Sequence, residues 1–470
     1  ESFHRRTRWA MRAFGLWLAC LACLTLQGQS LWHFSSAMTH PWAGSARYMA
    51  TGGALSSLGN DPSAILDNPA TAATYRAAEM SLTGLLGVDQ SGFLTQAQLP
   101  AFHWGTSLQI TDESVLAFSL DRRTSRFKPS AWFHETFQPT VSQVDGWLAE
   151  AGNLSPTECF QQGLYGAYAA YQAYVLEYDG VSLYPLMVGT PETQYLYMER
   201  DQKISQTQGS VAVRTDRIAL GAGVEYLQLR STERLSIFEY PYSQDGYLLN
   251  IYTRQVDSLS GGGLRFRLGI LAKVGDGTRI SAFWTGTSLL RSSWHYRYRI
   301  YDNPANPANV GVDAFELYQD ESFQTVQPAT AGIGVAQVID NQGFLSAEYR
   351  YTGAVQNPIH SPVEFLVIGQ EIGRELQGSH QMRLGTEWRR DAQSLRAGYQ
   401  FSTKASQFKE HSGYQQLSTG WGLRGNEWFF DLAIVGQFRR GQILHPLSGE
   451  VIPLPSAPAM LVATYSVRLR

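Results

Sequence analysis

Arginine and carboxylate residues recur at even spacing along the second half of this chain. Arg265 and Arg267, Glu348 and Arg350, and Arg383, Glu387 and Arg389 fall into such runs, with Arg396, Glu225 and Asp431 nearby. Residues two apart on an extended chain share a face, so each run would turn its charges to one side. Two chemistries fit. Clustered guanidinium groups bind a ligand carboxylate through paired hydrogen bonds. Mixed signs can also form ion pairs that hold two parts of a protein together away from bulk water. The presence of both signs favours the second. A further set, His295, Arg297 and Arg299, alternates with Trp294, Tyr296 and Tyr298. It reads as a charged rim meeting water or lipid phosphates, with a carboxylate receptor as the alternative. Tyr165, Tyr168, Tyr171, Tyr174 and Tyr178 recur every three or four residues in 160–177, a stretch rich in Ala, Gln and Leu that reads as a helix. Its aromatic face would fold down on a rim or line a capture groove for an apolar ligand, because tyrosine offers apolar area with a polar tip.

Signatures of catalysis are missing. The sequence holds no G-x-S-x-G elbow, HExxH helix or P-loop, and its histidines are scattered. The chain reads as a non-enzyme without a cofactor or metal. A net charge of −3 gives no basic footprint for nucleic acid.

Presenting such faces requires long strands, and the sequence supplies them. Leu395, Ala397, Tyr399 and Phe401 alternate with Arg396, Gly398, Gln400 and Ser402. Met382, Leu384, Thr386 and Trp388 oppose Arg383, Gly385, Glu387 and Arg389. The same period of two holds at 345–351 and 218–226. Apolar faces often end in Tyr or Trp, as interfacial girdles do. The opposite faces carry both charge signs and glycine, as a polar lumen would. Short turns at 215–217, 275–277, 340–343, 390–392 and 424–426 alternate with much longer connections. Brief turns on one rim and long loops on the other suit an outer-membrane barrel. A soluble sandwich has no reason to keep every second connection short.

The fold expected is therefore all-β: a 14-stranded antiparallel transmembrane β-barrel with a helical extracellular insertion. Its strands fall at 77–86, 92–110, 113–127, 200–214, 217–238, 261–274, 278–300, 325–339, 343–354, 377–390, 393–407, 413–423, 427–439 and 458–470. An even count puts both ends of the wall on the periplasmic side. Pairing of the last strand with the first removes the open edges. Composition agrees: 470 residues without a break in composition, 44 glycines and 12% aromatic residues suit one barrel. A mean hydropathy of −0.21, with no long apolar run after the N-terminus, excludes a helical membrane protein, whose spans need roughly 18 or more apolar residues.

Residues 1–30 read as a signal peptide: Arg5, Arg6, Arg8 and Arg12 precede an apolar run ending in the small residues Gly28, Gln29 and Ser30. A lipoprotein signal at Cys20 or Cys23 is the poorer match. Cleavage would leave Cys159 as the one cysteine, so no disulfide or CxxC pair remains. Between the signal and the wall, 31–76 carries almost no charge. The segment is too apolar for a tail and too small for a domain, and it fits in the lumen as a plug ahead of the barrel at 77–470. Asp61-Pro62 starts a helical turn, with the carboxylate as N-cap and proline at the first helical position. Gly52-Gly53 permits positive φ or a close backbone approach. The connections at 128–199, 239–260, 301–324 and 355–376 would make up the outer surface.

Within that plug a resemblance becomes specific. Residues 44–54, with Gly44-Ser45-Ala46-Arg47-Tyr48, and 60–70, ending in Asn68-Pro69-Ala70, resemble the N-terminal hatch of FadL/TodX-type outer-membrane transport proteins, particularly the branch found in Bacteroidetes. The likeness implies passive uptake of hydrophobic compounds such as long-chain fatty acids or aromatic hydrocarbons, in the outer membrane of a Gram-negative bacterium. It implies ligand capture by the outer loops (here Tyr165, Tyr168, Tyr171 and Tyr174), a lumenal pocket, and a hatch that moves. Gly52, Gly53, Asn68, Pro69 and Ala70 are the hatch residues, and Glu348, Arg350, Arg383, Glu387 and Arg396 the lumen charges. Partners implied are outer-membrane lipid and lipopolysaccharide, a hydrophobic small molecule and the barrel-assembly machinery. FadL-like barrels also serve in secretion machinery, so a partner-binding scaffold is the alternative. The family's lateral exit lies at a kinked third strand. Here 113–127 has no kink-forming glycine or proline, and Pro100 in the second strand is the nearest irregularity. A further departure is the last residue, Arg470, where many such barrels end in an aromatic.

Overall fold

The computed structural model describes residues 43–469, apart from 89–93, 112–113, 128–131, 188, 244–247, 305–313, 341, 362–365, 408–412, 440–441, 445–446, 449–450 and 454–458. The proposed signal segment and residues 31–42 of the proposed plug lie outside the described residues. The wall is a closed, antiparallel, fourteen-stranded barrel. Its strands are β1 Ala78–Val88, β2 Leu94–Gln109, β3 Val115–Phe127, β4 Thr193–Arg214, β5 Ile218–Tyr240 and β6 Leu248–Lys273, followed by β7 and β8, each in two segments. The segments of β7 are Thr278–Thr285 and Ser288–Pro304, and those of β8 are Ala314–Gln327 and Thr330–Ile339. The remainder are β9 Gly343–Thr352, β10 Ser379–Arg390, β11 Gln393–Ser402, β12 Tyr414–Arg424, β13 Trp428–Arg439 and β14 Ala459–Leu469. Each strand pairs with its neighbours in sequence, and β14 pairs with β1 from Ala78↔Leu469 to Val88↔Ala459. Closure leaves no free edge at that seam.

Near the short-turn rim the alternation is that of a lipid-facing wall. Leu395, Met382, Leu384 and Leu345 point outward and are exposed, while Arg396, Arg383 and Glu348 point inward and are buried. Farther from that rim the pattern inverts. Leu196, Met198, Leu235, Ile237 and Ile251 face inward and are buried, while Glu199, Lys203, Arg230 and Arg254 face outward. The physical cause is a change of solvent: the upper wall meets water outside and packed helices inside. In the upper wall β4 and β6 begin at Thr193 and Leu248 instead of at the expected 200 and 261. Two other expected strands, 278–300 and 325–339, are interrupted at 286–287 and 328–329. Below the break Ser281, Phe283 and Thr285 face inward; above it Ser288, Leu290 and Ser292 do. The side-chain phase slips by one residue, and the paired strand slips with it, so pairing resumes at Ser288↔Gln327. Proline at 328 donates no ladder hydrogen bond, which makes it suited to such a break.

The single helix expected over 160–177 is instead a three-helix head: Gln143–Ala151, Pro156–Gln161 and Tyr165–Gln172. Ser142 with Asp145 and Ser155 with Glu158 form capping boxes that start the first two. Both signals stand in the sequence at the required spacing. Gly163, at φ 78°, turns the chain before the third. The head packs Trp147, Ala167 and Ala170 on the inner face of the wall extension at Tyr296, Tyr298 and Ile300. A fourth helix, Leu366–Glu375, stands where a loop was expected.

Glu150 belongs to this head and has one carboxylate oxygen, Oε2, enclosed without a hydrogen-bond partner. Burial alone pushes its carboxyl up to about 8. A carboxyl with a raised folded pKa contributes stability below its unfolded pKa and loses it as pH climbs through the folded one. Head packing is therefore expected to weaken between about pH 5 and pH 8. Limited proteolysis in 142–172 should rise at least about tenfold over that window, and Glu150→Gln should flatten the profile. A flat profile in the wild type would refute the assignment.

Candidate functional site: the plugged lumen

Residues 43–75 lie within the ring of strands and bond to the wall around its circumference. Ser45 caps Ala46–Ala50, accepting from Tyr48 N at 3.1 Å. Asp61 caps Pro62–Ile65, accepting from Ser63 N at 2.9 Å and from Ser45 Oγ at 2.7 Å. Asn68 caps the 3-10 turn Pro69–Thr74, accepting from Ala70 N at 3.1 Å. Three local caps thus give a mainly small-residue segment a defined shape. Its outward bonds reach Thr464 from Ala46 N at 2.7 Å, Ser281 from Ser57 at 2.9 Å, and Ile270 O from Asn68 Nδ2 at 3.2 Å.

Charge fixes it more strongly. Asp67, 1% exposed, accepts from Arg350 Nη1 at 3.3 Å, from Arg383 Nη1 at 3.1 Å and from Tyr48 Oη, and Arg350 Nη2 stands 2.9 Å from its other oxygen. Arg123 Nη2 stands at 3.5 Å. Glu348 shares Arg350 at 2.6 Å and Arg383 at 3.3 Å. On the other side Arg47 Nε donates to Glu387 at 2.7 Å, and Arg396 Nε donates to the same carboxylate at 2.7 Å. Arg396 also reaches Asp431 at 2.6 Å. A third group joins Glu225 to Arg265 and Arg267, and Arg267 donates to the plug carbonyl of Leu66. The plug therefore offers one anion to wall arginines and one cation to a wall carboxylate. Opposite charges at two ends fix its rotation as well as its depth.

All five expected lumen charges, Glu348, Arg350, Arg383, Glu387 and Arg396, sit in these networks. Tyr48, Asp67 and Arg123 join them and were not singled out in the sequence. A signal existed, because Arg47, Asp61 and Asp67 are the only Asp, Glu, Lys or Arg side chains in 31–75. A charge in so apolar a stretch needs a buried partner.

Wall glycines make room. Gly52 and Gly53 take φ of 61° and 76°. A Cβ on Gly398 would overlap the backbone N of Gly52, and one on Gly269 would overlap Asn68 Oδ1. Pro69 and Ala70 lie fully buried beside them. We expect Gly398→Val to unseat the plug at a cost of about 1–3 kcal/mol. Heat-modifiability of the barrel should survive while protease cuts 43–75 faster. Unchanged protection would show that the wall yields instead.

Above the plug, the inward side chains turn apolar: Leu227, Leu229, Leu259, Leu290 and Phe323 pack together, covered by Ile372 of the helix Leu366–Glu375. To one side the ladder between β2 and β3 ends at Ala101↔Arg123. Beyond it β2 continues paired only to β1, and β3 only to β4, among the described residues. A register shift at Thr83/Leu85 lies opposite Leu99 and Pro100. The outer lip of this gap carries Leu99, 69% exposed, and Phe102.

The four tyrosines expected to capture ligand are placed less uniformly than a single helix would place them. Tyr165 packs against Tyr296, with centroids 5.7 Å apart, and Tyr168 against Phe315 at 6.0 Å. Tyr171 is partly buried against the head core. Tyr174 lies past the helix end and is 63% exposed. The stripe is mainly packing between head and wall.

No protein-family model and no curated protein matches the chain. Solved structures do. The toluene transporter TodX of P. putida matches with a TM-score of 0.54 and 14% identity, over 92% of this chain and 100% of that one. A FadL homologue of Pseudomonas aeruginosa matches with a TM-score of 0.54 and 13% identity, over 92% and 99%. The toluene transporter TbuX of Ralstonia pickettii matches with a TM-score of 0.51 and 13% identity, over 92% and 100%. At these identities the likeness is one of fold, and the fold is that of the FadL-type outer-membrane barrel.

Proposed function

We propose that this barrel is a channel for passive uptake of hydrophobic compounds across the outer membrane of a Gram-negative bacterium. Long-chain fatty acids and aromatic hydrocarbons are the substrate classes, and the plug is the hatch. The Bacteroidetes-like affinity belongs to this proposal and rests on the hatch motif.

The observation that carries the reading is the end of the β2–β3 ladder inside the apolar belt. An apolar solute that crossed the full lumen would have to pass the ion-paired ring around Asp67, which offers it nothing. A side opening at Leu99 and Phe102 would lead instead into the bilayer, a favourable sink worth about 0.8 kcal/mol for each methylene buried. The apolar layer at Leu227, Leu229 and Leu259 is where the solute would rest first. Hatch movement would then connect that layer with the gap.

Asn68 tests gating. Its Nδ2 donates to Ser56 O at 3.1 Å and to Ile270 O at 3.2 Å, tying the plug to itself and to the wall. Asn68→Ala should cost about 1–2 kcal/mol. Uptake of a labelled apolar probe should change severalfold while the amount of heat-modifiable barrel stays the same. Uptake that merely follows the amount of folded protein would reject gating. Cells carrying the wild type that take up no more than empty cells would reject the channel.

A further inference from the structure

Beyond the lipid-facing belt, the outer face of β3–β7 changes chemistry twice. Along β5 the outward positions run Ile218, Leu220, Ala222, Val224 and Tyr226, and the first charge after them is Arg230. Arg230 lies directly opposite Lys203 on β4, which lies directly opposite Arg126 on β3. All three are exposed. Like charges facing each other across a ladder destabilise it, so such a row calls for an anion.

Among the described residues one acidic side chain bonds to this row. Asp201 accepts from Arg126 Nε at 3.0 Å and Nη2 at 2.7 Å. Lys203 and Arg230 make no ion pair among the described residues. The outward charges farther along are mostly matched within the wall: Arg234 with Glu199 at 3.4 Å, Arg297 with Glu316 at 3.2 Å, and His295 with Asp320 at 2.6 Å. The uncompensated charge is therefore concentrated at the top of the apolar belt.

Eight residues farther along β4 and β5, an aromatic row begins. Tyr195, Phe238, Tyr252 and Tyr301 stand in register on four adjacent strands, all on the outer face. Successive ring centroids are 6.3, 6.4 and 5.7 Å apart. Phe133 extends the row by stacking on Tyr195 at 5.5 Å. At about 3.3 Å per residue, the row lies roughly 26 Å beyond the basic one along the strand. Bilayer hydrocarbon does not reach that level, so an aromatic stripe there needs another occupant.

We propose that this face binds lipopolysaccharide of the outer leaflet. Acyl chains lie on the apolar belt, head-group phosphates on Arg126, Lys203 and Arg230, and the attached sugars along the aromatic row. The order of chemistries up the wall is that of the molecule. Guanidinium groups make strong charge-assisted bonds to phosphate. Tyrosine rings offer apolar faces for sugar C–H groups and hydroxyls for their oxygens. A glycerophospholipid ends near its phosphate and would leave the aromatic row bare. This binding rests on the outer-membrane placement proposed above and is separate from uptake.

The test uses the purified full chain in detergent, with three probes: lipopolysaccharide bearing core sugars, its lipid A portion, and phosphatidylglycerol. The triple variant Arg126→Gln, Lys203→Gln, Arg230→Gln should bind both lipopolysaccharide and lipid A at least tenfold more weakly. The double variant Phe238→Ser, Tyr252→Ser should lose at least threefold for the core-bearing form and keep wild-type affinity for lipid A. Heat-modifiability of each variant establishes that it is folded before binding is scored. Triple-variant affinity within twofold of wild type would overturn the proposal, as would phosphatidylglycerol competing as well as lipopolysaccharide. Equal loss of both probes in the aromatic variant would overturn the sugar contact.

Discussion

Asp67→Ala is expected to destabilise the folded, plugged barrel by about 3–5 kcal/mol, the range for removing one partner of a buried ion pair. Asp67 is the plug's only anion at this point, and Arg350 and Arg383 both bond to it while Arg123 stands 3.5 Å away. All four side chains are nearly inaccessible. After the substitution Glu348 is the one carboxylate still bonded to Arg350 and Arg383 among the described residues, and three guanidinium groups are left crowded in one enclosed space. Relief comes by moving the plug and admitting water. Refolding titrations should register the loss of stability, and planar-bilayer recordings should show a raised conductance. A change below about 1 kcal/mol with unchanged conductance would mean that the arginines are satisfied without the plug. Pairing Asp67→Ala with Arg350→Leu in a double-mutant cycle isolates the shared term, which should be large because the two groups touch.

Leu395→Arg should cost about 2–4 kcal/mol if the position lies at mid-membrane. Leu395 is 64% exposed on the outer face, which the proposed bilayer would cover, while its neighbour Arg396 is 7% exposed and points inward. A guanidinium on the lipid face has no counter-ion and must be drawn toward the interface. Arg396→Leu should also cost stability, but through the lumen: Glu387 keeps Arg47 and Arg389 as partners, while Asp431 loses its bond at 2.6 Å. The comparison is internal to one strand and insensitive to errors in absolute stability. A tolerated Leu395→Arg together with a neutral or stabilising Arg396→Leu in refolding titrations would show that the two faces of β11 are assigned the wrong way round.

How far the sequence carried this picture depends on what each residue had to satisfy locally. Alternation at 382–389 and 395–402 determined the wall, because a strand between lipid and lumen must be apolar on every second residue. Turn lengths placed the short connections at one rim and the long ones, with the helical head, at the other. The cap at Asp61-Pro62 was legible for the same reason: donor, acceptor and fixed φ lie within a few residues of one another. The upper wall was less legible, since its inner face packs against helices, so that at 234–237 the apolar residues point inward and the polar ones outward. Nothing local marks that boundary. Only the tertiary structure decided that Asp67 would meet Arg350 and Arg383, because those partners stand 283 and 316 residues away in sequence. Their meeting depends on closure of the ring, on a plug short enough to sit inside it, and on Gly398 and Gly269 leaving space for its backbone. A carboxylate cannot show in one dimension which of many arginines will neutralise it; burial selects the partner, and burial exists only once the barrel is closed.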